Sequence, residues 1–159
     1  MIPQRINLIL YSTLAVIICY IDRVNISVAI IPMQEQFGWS DSQVGFIFSS
    51  FYLGYMLTMA LGGYLSDKFG GKLVLGWGVV LWSIFTMLTP LAAHNGFFAL
   101  FFIRVLMGIG EGVTFPAWHS LYARWIPFNE RTRAIAFTNS GVSVGTIIGY
   151  IGTRSLIHI

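Results

Sequence analysis

The sequence predicts an all-α, polytopic membrane protein of about five transmembrane helices, and three observations carry that prediction. Of 159 residues, 56% are apolar and only 9% are charged, where an average soluble domain has about 25% charged. The apolar residues concentrate in five stretches, residues 6–31, 43–65, 73–91, 97–121 and 134–153, each close to the ~20 residues that cross a bilayer as helix. Stretches of this length must satisfy every backbone group internally. Helices do so, whereas a barrel would alternate apolar and polar residues over ~10-residue strands.

Composition also excludes several function classes. A net charge of +3, from nine Lys+Arg and six Asp+Glu, is too sparse for a phosphate-binding face, so the lipid bilayer is an expected partner and nucleic acid is not. A single cysteine, Cys19, rules out a disulfide framework and any thiolate zinc site. His94, His119 and His158 show no metal-ligand spacing, and no cofactor or metal is expected. The G-x-S-x-G pattern of residues 141–145 lies inside an apolar stretch without a preceding strand, so it is not read as an enzyme's nucleophile. Asn25-Ile26-Ser27 fits a glycosylation sequon but lies within the membrane, out of reach of modification.

The first span follows Arg5 and carries Asp22 and Arg23 slightly outward of its midpoint, with Asn25 and Ser27 continuing the polar side. Its length and the missing small-residue cleavage site exclude a signal peptide. In the second span Gly54, Thr58 and Gly62 recur every four residues, a face along which helices approach closely; Tyr52 and Tyr55 are candidates to line a cavity. The third span reads as scaffold. In the fourth, Arg104 and Glu111 are seven residues apart, two turns or about 10.5 Å along one face. Gly108, Phe115 and Tyr122 continue that stripe, and Glu111 falls near the bilayer midplane. The fifth span repeats small residues at Gly141, Gly145 and Gly149.

Cations set the orientation. Arg5, Lys68, Lys72, Arg124, Arg131 and Arg133 lie before the first span, between the second and third, and between the fourth and fifth, whereas residues 32–42 and 92–96 contain no Lys or Arg. The positive-inside rule places the N-terminus and both basic connectors in the cytoplasm, and an uncut first span with this bias points to an inner or plasma membrane. Trp39 and Trp125 fall where interface anchors belong.

Asp22, Arg23, Arg104 and Glu111 are thus expected inside the membrane. Each would cost about 2.5–3.5 kcal/mol at mid-helix if it faced lipid, so all four are expected in a buried or water-lined interior. One reading makes them structural ion pairs that lock helices together. The other has a cation hold an anionic substrate while a carboxylate carries a proton, its affinity for that proton raised by low dielectric and lowered again by a neighbouring Arg.

After the second span comes Gly63-Tyr64-Leu65-Ser66-Asp67-Lys68-Phe69-Gly70-Gly71-Lys72, which resembles the loop signature of the major facilitator superfamily, G-x-L-x-D-(R/K)-x-G-(R/K)-(R/K), departing only at Gly71. Its glycines would permit a tight turn, and Arg124 is the candidate partner of Asp67. Residues 22–29, and the stretch from Arg104 through residues 110–117 to residues 127–131, resemble the anion:cation symporters. That group includes sialin-like carriers and bacterial hexuronate, glucarate and galactonate permeases.

The resemblance implies proton coupling through Asp22 and Glu111, anion binding by Arg23, and a latch between conformations at Gly63, Asp67, Lys68, Gly70 and Lys72. Arg104 and His119 match functional positions of sialin-like members. Met107 stands where the animal carriers have a second acid, which leans toward the bacterial sugar-acid branch. It further implies twelve spans in two six-helix halves of inverted triplets. The chain then reads as an incomplete N-terminal bundle, residues 1–153, with residues 154–159 as an aberrant or truncated tail and the C-terminal half missing. The expected function is proton-coupled symport of an organic anion such as a sugar acid. The alternative is a small helical interaction or assembly protein without transport.

Overall fold

The computed structural model describes residues 4–157, with side chains to Thr153. Its elements are all helical: α1 (Gln4–Phe37), α2 (Asp41–Phe69), α3 (Gly71–His94), α4 (Phe97–Gly112), α5 (Thr114–Trp125) and α6 (Phe128–Ile157). Five segments are long and apolar enough to cross a membrane, with α4 and α5 together supplying the fourth, Phe97–Trp125.

The helices run further than the apolar stretches that predict them, because polar flanks also make good helix when caps are available. Helix α1 continues through Pro32 to Phe37 and stops where Gly38 turns to φ +65°, a conformation that costs glycine little. Ser40 then caps α2: its hydroxyl accepts from the Gln43 backbone N–H at 3.3 Å, and the Gln43 side chain accepts from the Ser40 N–H at 2.9 Å, a reciprocal capping box. Trp39, expected at the lipid interface, is instead only 9% exposed and stacks on Phe37 at 5.1 Å. Trp125 is exposed at the end of α5.

The α2–α3 junction also differs from a loop. Gly63, Asp67 and Lys68 lie in the last turns of α2 and Lys72 in the first turn of α3, leaving Gly70 alone between the helices. Only Gly70 needs the freedom of glycine, at φ +89°. Gly71 has a different reason: a side chain there would collide with the Ala117 carbonyl and Leu121, so this packing leaves no room for a cation.

The fourth span breaks at Val113. Pro116, three residues on, has no N–H for the Gly112 carbonyl, and its ring crowds that carbonyl; a new helical register starts from Val113, whose carbonyl accepts from Ala117. At the far end of α5, the Arg131 guanidinium donates to the Ala123 and Ile126 carbonyls at 3.0 and 3.3 Å, satisfying acceptors that the helix terminus leaves open. Helix α6 extends to Ile157; His158 and the end of the tail lie outside the described residues.

The chain divides into two compact units, one of Met1–Ile31 with Tyr122–Ile159 and one of Pro32–Leu121. In the first, α6 lies on α1 through Gly141, Gly145 and Gly149, where a side chain would press on the Thr13 and Ile17 carbonyls and on Val24. Between them is a buried chain of hydroxyls: Thr13 donates to the Ile9 carbonyl at 2.8 Å, and Tyr122 and Thr138 share a 2.5 Å hydrogen bond. Arg5 and Glu130 pair at 3.2 Å on the surface. In the second unit α4 is the shared partner of α2 and α3, which touch each other far less.

Polarity runs inside out. Met87 is 81% and Phe98 74% exposed, while Arg104 is 3% and Glu111 0% exposed. In water that arrangement would leave apolar surface wet and desolvate charge; in lipid both signs reverse. The molecule is a multi-pass membrane protein.

Candidate functional site

The candidate site lies on α4 in the second unit, and glycines place it. Side chains at Gly54, Gly108 and Gly112 would strike backbone atoms across the α2–α4 contact: the Val105 carbonyl, the Phe51 carbonyl and the Tyr55 carbonyl. Without them the two backbones come close enough to seal the intervening face, as small residues allow in lipid. On the opposite side of α4, Gly110 lies against the backbone of Trp82, and Gly78 on α3 against the Gly110 carbonyl.

Arg104 sits in the resulting interior. Its guanidinium carbon lies 5.1 Å from the centre of the Phe51 ring, within range for a cation over an aromatic face. Its Nη1 reaches Met107 Sδ at 3.2 Å, and the Thr86 hydroxyl points at the same sulfur from α3 at 3.8 Å. The cation is therefore met by Phe51 of α2 and by Met107 of its own helix, whose sulfur also takes the Thr86 hydroxyl of α3. Glu111, two turns further along the same face, is fully buried. The 104/111 spacing thus marks an interior face, as read from sequence.

The other predicted residues fall as follows. Tyr55 is half-buried and stacks on Phe51 at 5.8 Å, while Tyr52 is exposed and meets the same ring edge-on at 5.4 Å. Arg104, Tyr52 and Tyr55 are thereby gathered around Phe51. His119 is exposed and lies flat on Trp118, ring centres 3.8 Å apart. Asp67 accepts from the Ser120 hydroxyl at 3.4 Å, and Lys68 lies 5.4 Å from the Phe69 ring. Lys72 and Arg124 are exposed.

Asp22, Arg23 and Asn25 belong to the other unit, on α1. Asp22 and Arg23 are half-buried, with the Arg23 guanidinium 4.8 Å from the Tyr20 ring and its Nε buried. Asn25 is exposed, and its side-chain oxygen accepts from Thr153 at 3.4 Å. Ser143, within the G-x-S-x-G pattern, is an exposed residue of helix α6. Among the described residues, no group of three or more His, Cys, Asp or Glu is arranged to hold a metal ion.

Sequence reasoning missed Phe51, which meets Arg104 from α2, and Thr86, which meets the sulfur of Met107 from α3; no periodicity along one helix reports a neighbour on another. Met107 carried a readable signal, since it lies three residues from Arg104 on the same face.

Comparison with known proteins adds the following. The family model of the Major Facilitator Superfamily matches residues 12–159. A probable chloroplastic anion transporter 4 of Oryza sativa subsp. japonica is 50% identical over 147 residues, 92% of this chain and 25% of that protein. A chloroplastic ascorbate transporter of Arabidopsis thaliana is 46% identical over 98% of this chain and 29% of its own. The chloroplastic sodium-dependent phosphate transport protein 1 of the same plant is 45% identical over 98% and 30%. Among solved structures, a bacterial homologue of the human lysosomal transporter Spinster, inward-facing and occupied, superposes with a TM-score of 0.90 at 30% identity, over 98% of this chain and 33% of that one. The chain spans about a quarter to a third of the length of these relatives.

Proposed function

This chain belongs to the major facilitator superfamily, and from that premise we propose that it is the N-terminal part of a proton-coupled symporter of an organic anion, with sugar acids as the favoured substrate class. The observation that carries the proposal is Glu111, fully buried on the same face of α4 as the buried Arg104. A carboxylate and a guanidinium held out of lipid near the middle of a span are expensive, and a carrier uses such groups to trade charge.

In this reading Arg23 and Arg104 draw the substrate carboxylate, and Tyr52, Tyr55 and Asn25 offer it ring edges and polar contacts. Asp22 and Glu111 take up the co-transported proton, and His119 belongs to the same coupling set. Binding of the anion withdraws arginine charge from the carboxylates, so substrate and proton load together. Asp67, Lys68, Lys72 and Arg124 latch the junction at Gly70 on the cytoplasmic side, where the N-terminus also lies. The sugar-acid assignment is supported by the ascorbate transporter among the relatives. Phosphate, named for another relative, is the competing substrate, and sodium the competing coupling ion.

The test is uptake of a labelled sugar acid by proteoliposomes containing the intact carrier. Wild type should accumulate it only with an inward proton gradient. Glu111→Gln should abolish accumulation and retain exchange of bound substrate, while Arg23→Ala should lose binding. Gradient-driven accumulation by Glu111→Gln would refute the proton role, and a sodium gradient that drives uptake without protons would replace it.

A further inference from the structure

Between α2 and α3, and floored by α4, lies a groove of about 250 Å³ that no transport step above uses. On α2 it is lined by Thr58, Leu65 and Phe69, spaced to share one helix face. On α3 the wall is Leu73, Trp77 and Leu81, and its rim is open: Trp77 is 61% exposed. Neither Tyr52 nor Tyr55 lines it. Its depth follows from the backbone packing, because Gly78 and Gly110 seat α3 directly on α4 while α2 and α3 diverge. The single hydroxyl in the wall, Thr58 Oγ1, is turned to the Gly54 carbonyl at 2.9 Å. A hydrated anion would find no partner there, whereas a hydrocarbon chain would.

The ends of the groove differ in charge. One end lies deep in the span at Thr58 and Leu81. The other opens beside Phe69 and Leu73 at the α2–α3 junction, where Lys68 and Lys72 are exposed and the Lys68 ammonium stands 5.4 Å from the Phe69 ring. The acid at this end, Asp67, accepts from Ser120 on α5. Helix α3 also begins here without a side-chain cap, so its positive end adds to the lysines. From Phe69 back to Thr58 is eleven residues, about 16 Å of helix, close to half of the ~30 Å hydrocarbon core.

We propose that this groove holds one acyl chain of an anionic phospholipid from the adjacent leaflet, with its headgroup on Lys68 and Lys72. The inference rests on the groove and its lysines and is independent of what the carrier moves.

The experiment uses the 159-residue chain in nanodiscs of equal phosphatidylcholine and phosphatidylglycerol, with helicity followed by circular dichroism. Lipid retained through gentle delipidation is read by native mass spectrometry, and a phosphatidylglycerol with a diazirine on its acyl chain maps the contact. Phosphatidylglycerol should be retained over phosphatidylcholine by about fivefold per lysine, the factor that one cation near the surface supplies. The diazirine should label Trp77, Leu81 or Thr58 in preference to Phe98 and Phe102, which are also exposed. Lys68→Gln/Lys72→Gln alters exposed positions only and should fold, lose the headgroup preference and keep the labelling. Equal retention of the two lipids by wild type, or an undiminished preference in the double variant, would overturn the headgroup assignment. Uniform labelling of exposed positions would overturn the groove. Disulfide cross-linking between copies carrying Trp77→Cys, with no lipid retained, would show that a second chain occupies it and not a lipid.

Discussion

In the unit formed by Pro32–Leu121, the buried polar groups include two ionisable ones beside the hydroxyls of Ser50, Ser66 and Thr114: Arg104 and Glu111 lie within a helix gripped on both sides by its neighbours. In the unit formed by Met1–Ile31 and Tyr122–Ile159, the innermost polar groups are hydroxyls, Thr13, Thr138 and Tyr122, while Asp22 and Arg23 are only half-buried. The two packings match this division. The α2–α4 contact brings glycines onto bare backbone on both helices, whereas on α6 only Gly145 comes as close, to the Ile17 carbonyl, and Gly141 and Gly149 meet α1 less tightly. Hydroxyls can satisfy themselves in a chain, each donating once, and need only a modest gap. An ionised side chain in low dielectric costs several kcal/mol unless partner groups held in place around it offset the lost hydration. Close backbone approach supplies that fixity, so the tighter unit is the one that can hold charge.

The largest expected effect comes from breaking the tight contact. Gly108→Leu drives a side chain into the Phe51 carbonyl and the Tyr55 N–H, which belong to backbone and cannot step aside; overpacking of this kind costs about 1–3 kcal/mol and at times more. Thermal unfolding in detergent should show a large loss or no folded protein. An unchanged midpoint would mean that α2 and α4 do not meet as described.

Next comes the charge itself. Arg104→Met with Glu111→Leu replaces both buried ionisable groups by side chains of similar bulk, a change that is often neutral or stabilising by about 1–4 kcal/mol. The double variant should unfold at or above the wild-type temperature and bind no anion. Unfolding well below it would mean that these two groups lock the helices together, the structural alternative to a role in transport.

The smallest effect is expected on the hydroxyl side. Tyr122→Phe removes the 2.5 Å bond to Thr138, and the Thr138 hydroxyl still has that of Thr13 within 3.4 Å. The loss should be about 1 kcal/mol, with substrate uptake retained. Abolished uptake would place this hydroxyl chain in the coupling route and erase the contrast between the units.

Much of the fold was legible because lipid imposes one rule on every residue of a span. Long apolar runs have to be helical, and the five stretches read from hydropathy correspond to the five spanning segments. Their boundaries were less legible, since a cap such as Ser40 with Gln43, or a lone Gly70, extends helices into polar sequence. The break at Val113 was written in Pro116 yet masked by the hydropathy around it. Within the site, the seven-residue spacing of Arg104 and Glu111 was readable along one helix, and the structure buries both. The junction residues Gly63 and Asp67 read as a loop, but the backbone keeps them in α2.

By itself, then, the sequence determined that the chain crosses a membrane as helices and that four charged residues must avoid lipid, because both follow from the cost of unsatisfied polar groups in hydrocarbon, which is local. Only the tertiary structure decided which partners bracket Arg104, which glycines serve backbone contact, and that an apolar groove opens beside Lys68 and Lys72. Those outcomes depend on the distance between helices remote in sequence, and no pattern along a single helix encodes that distance.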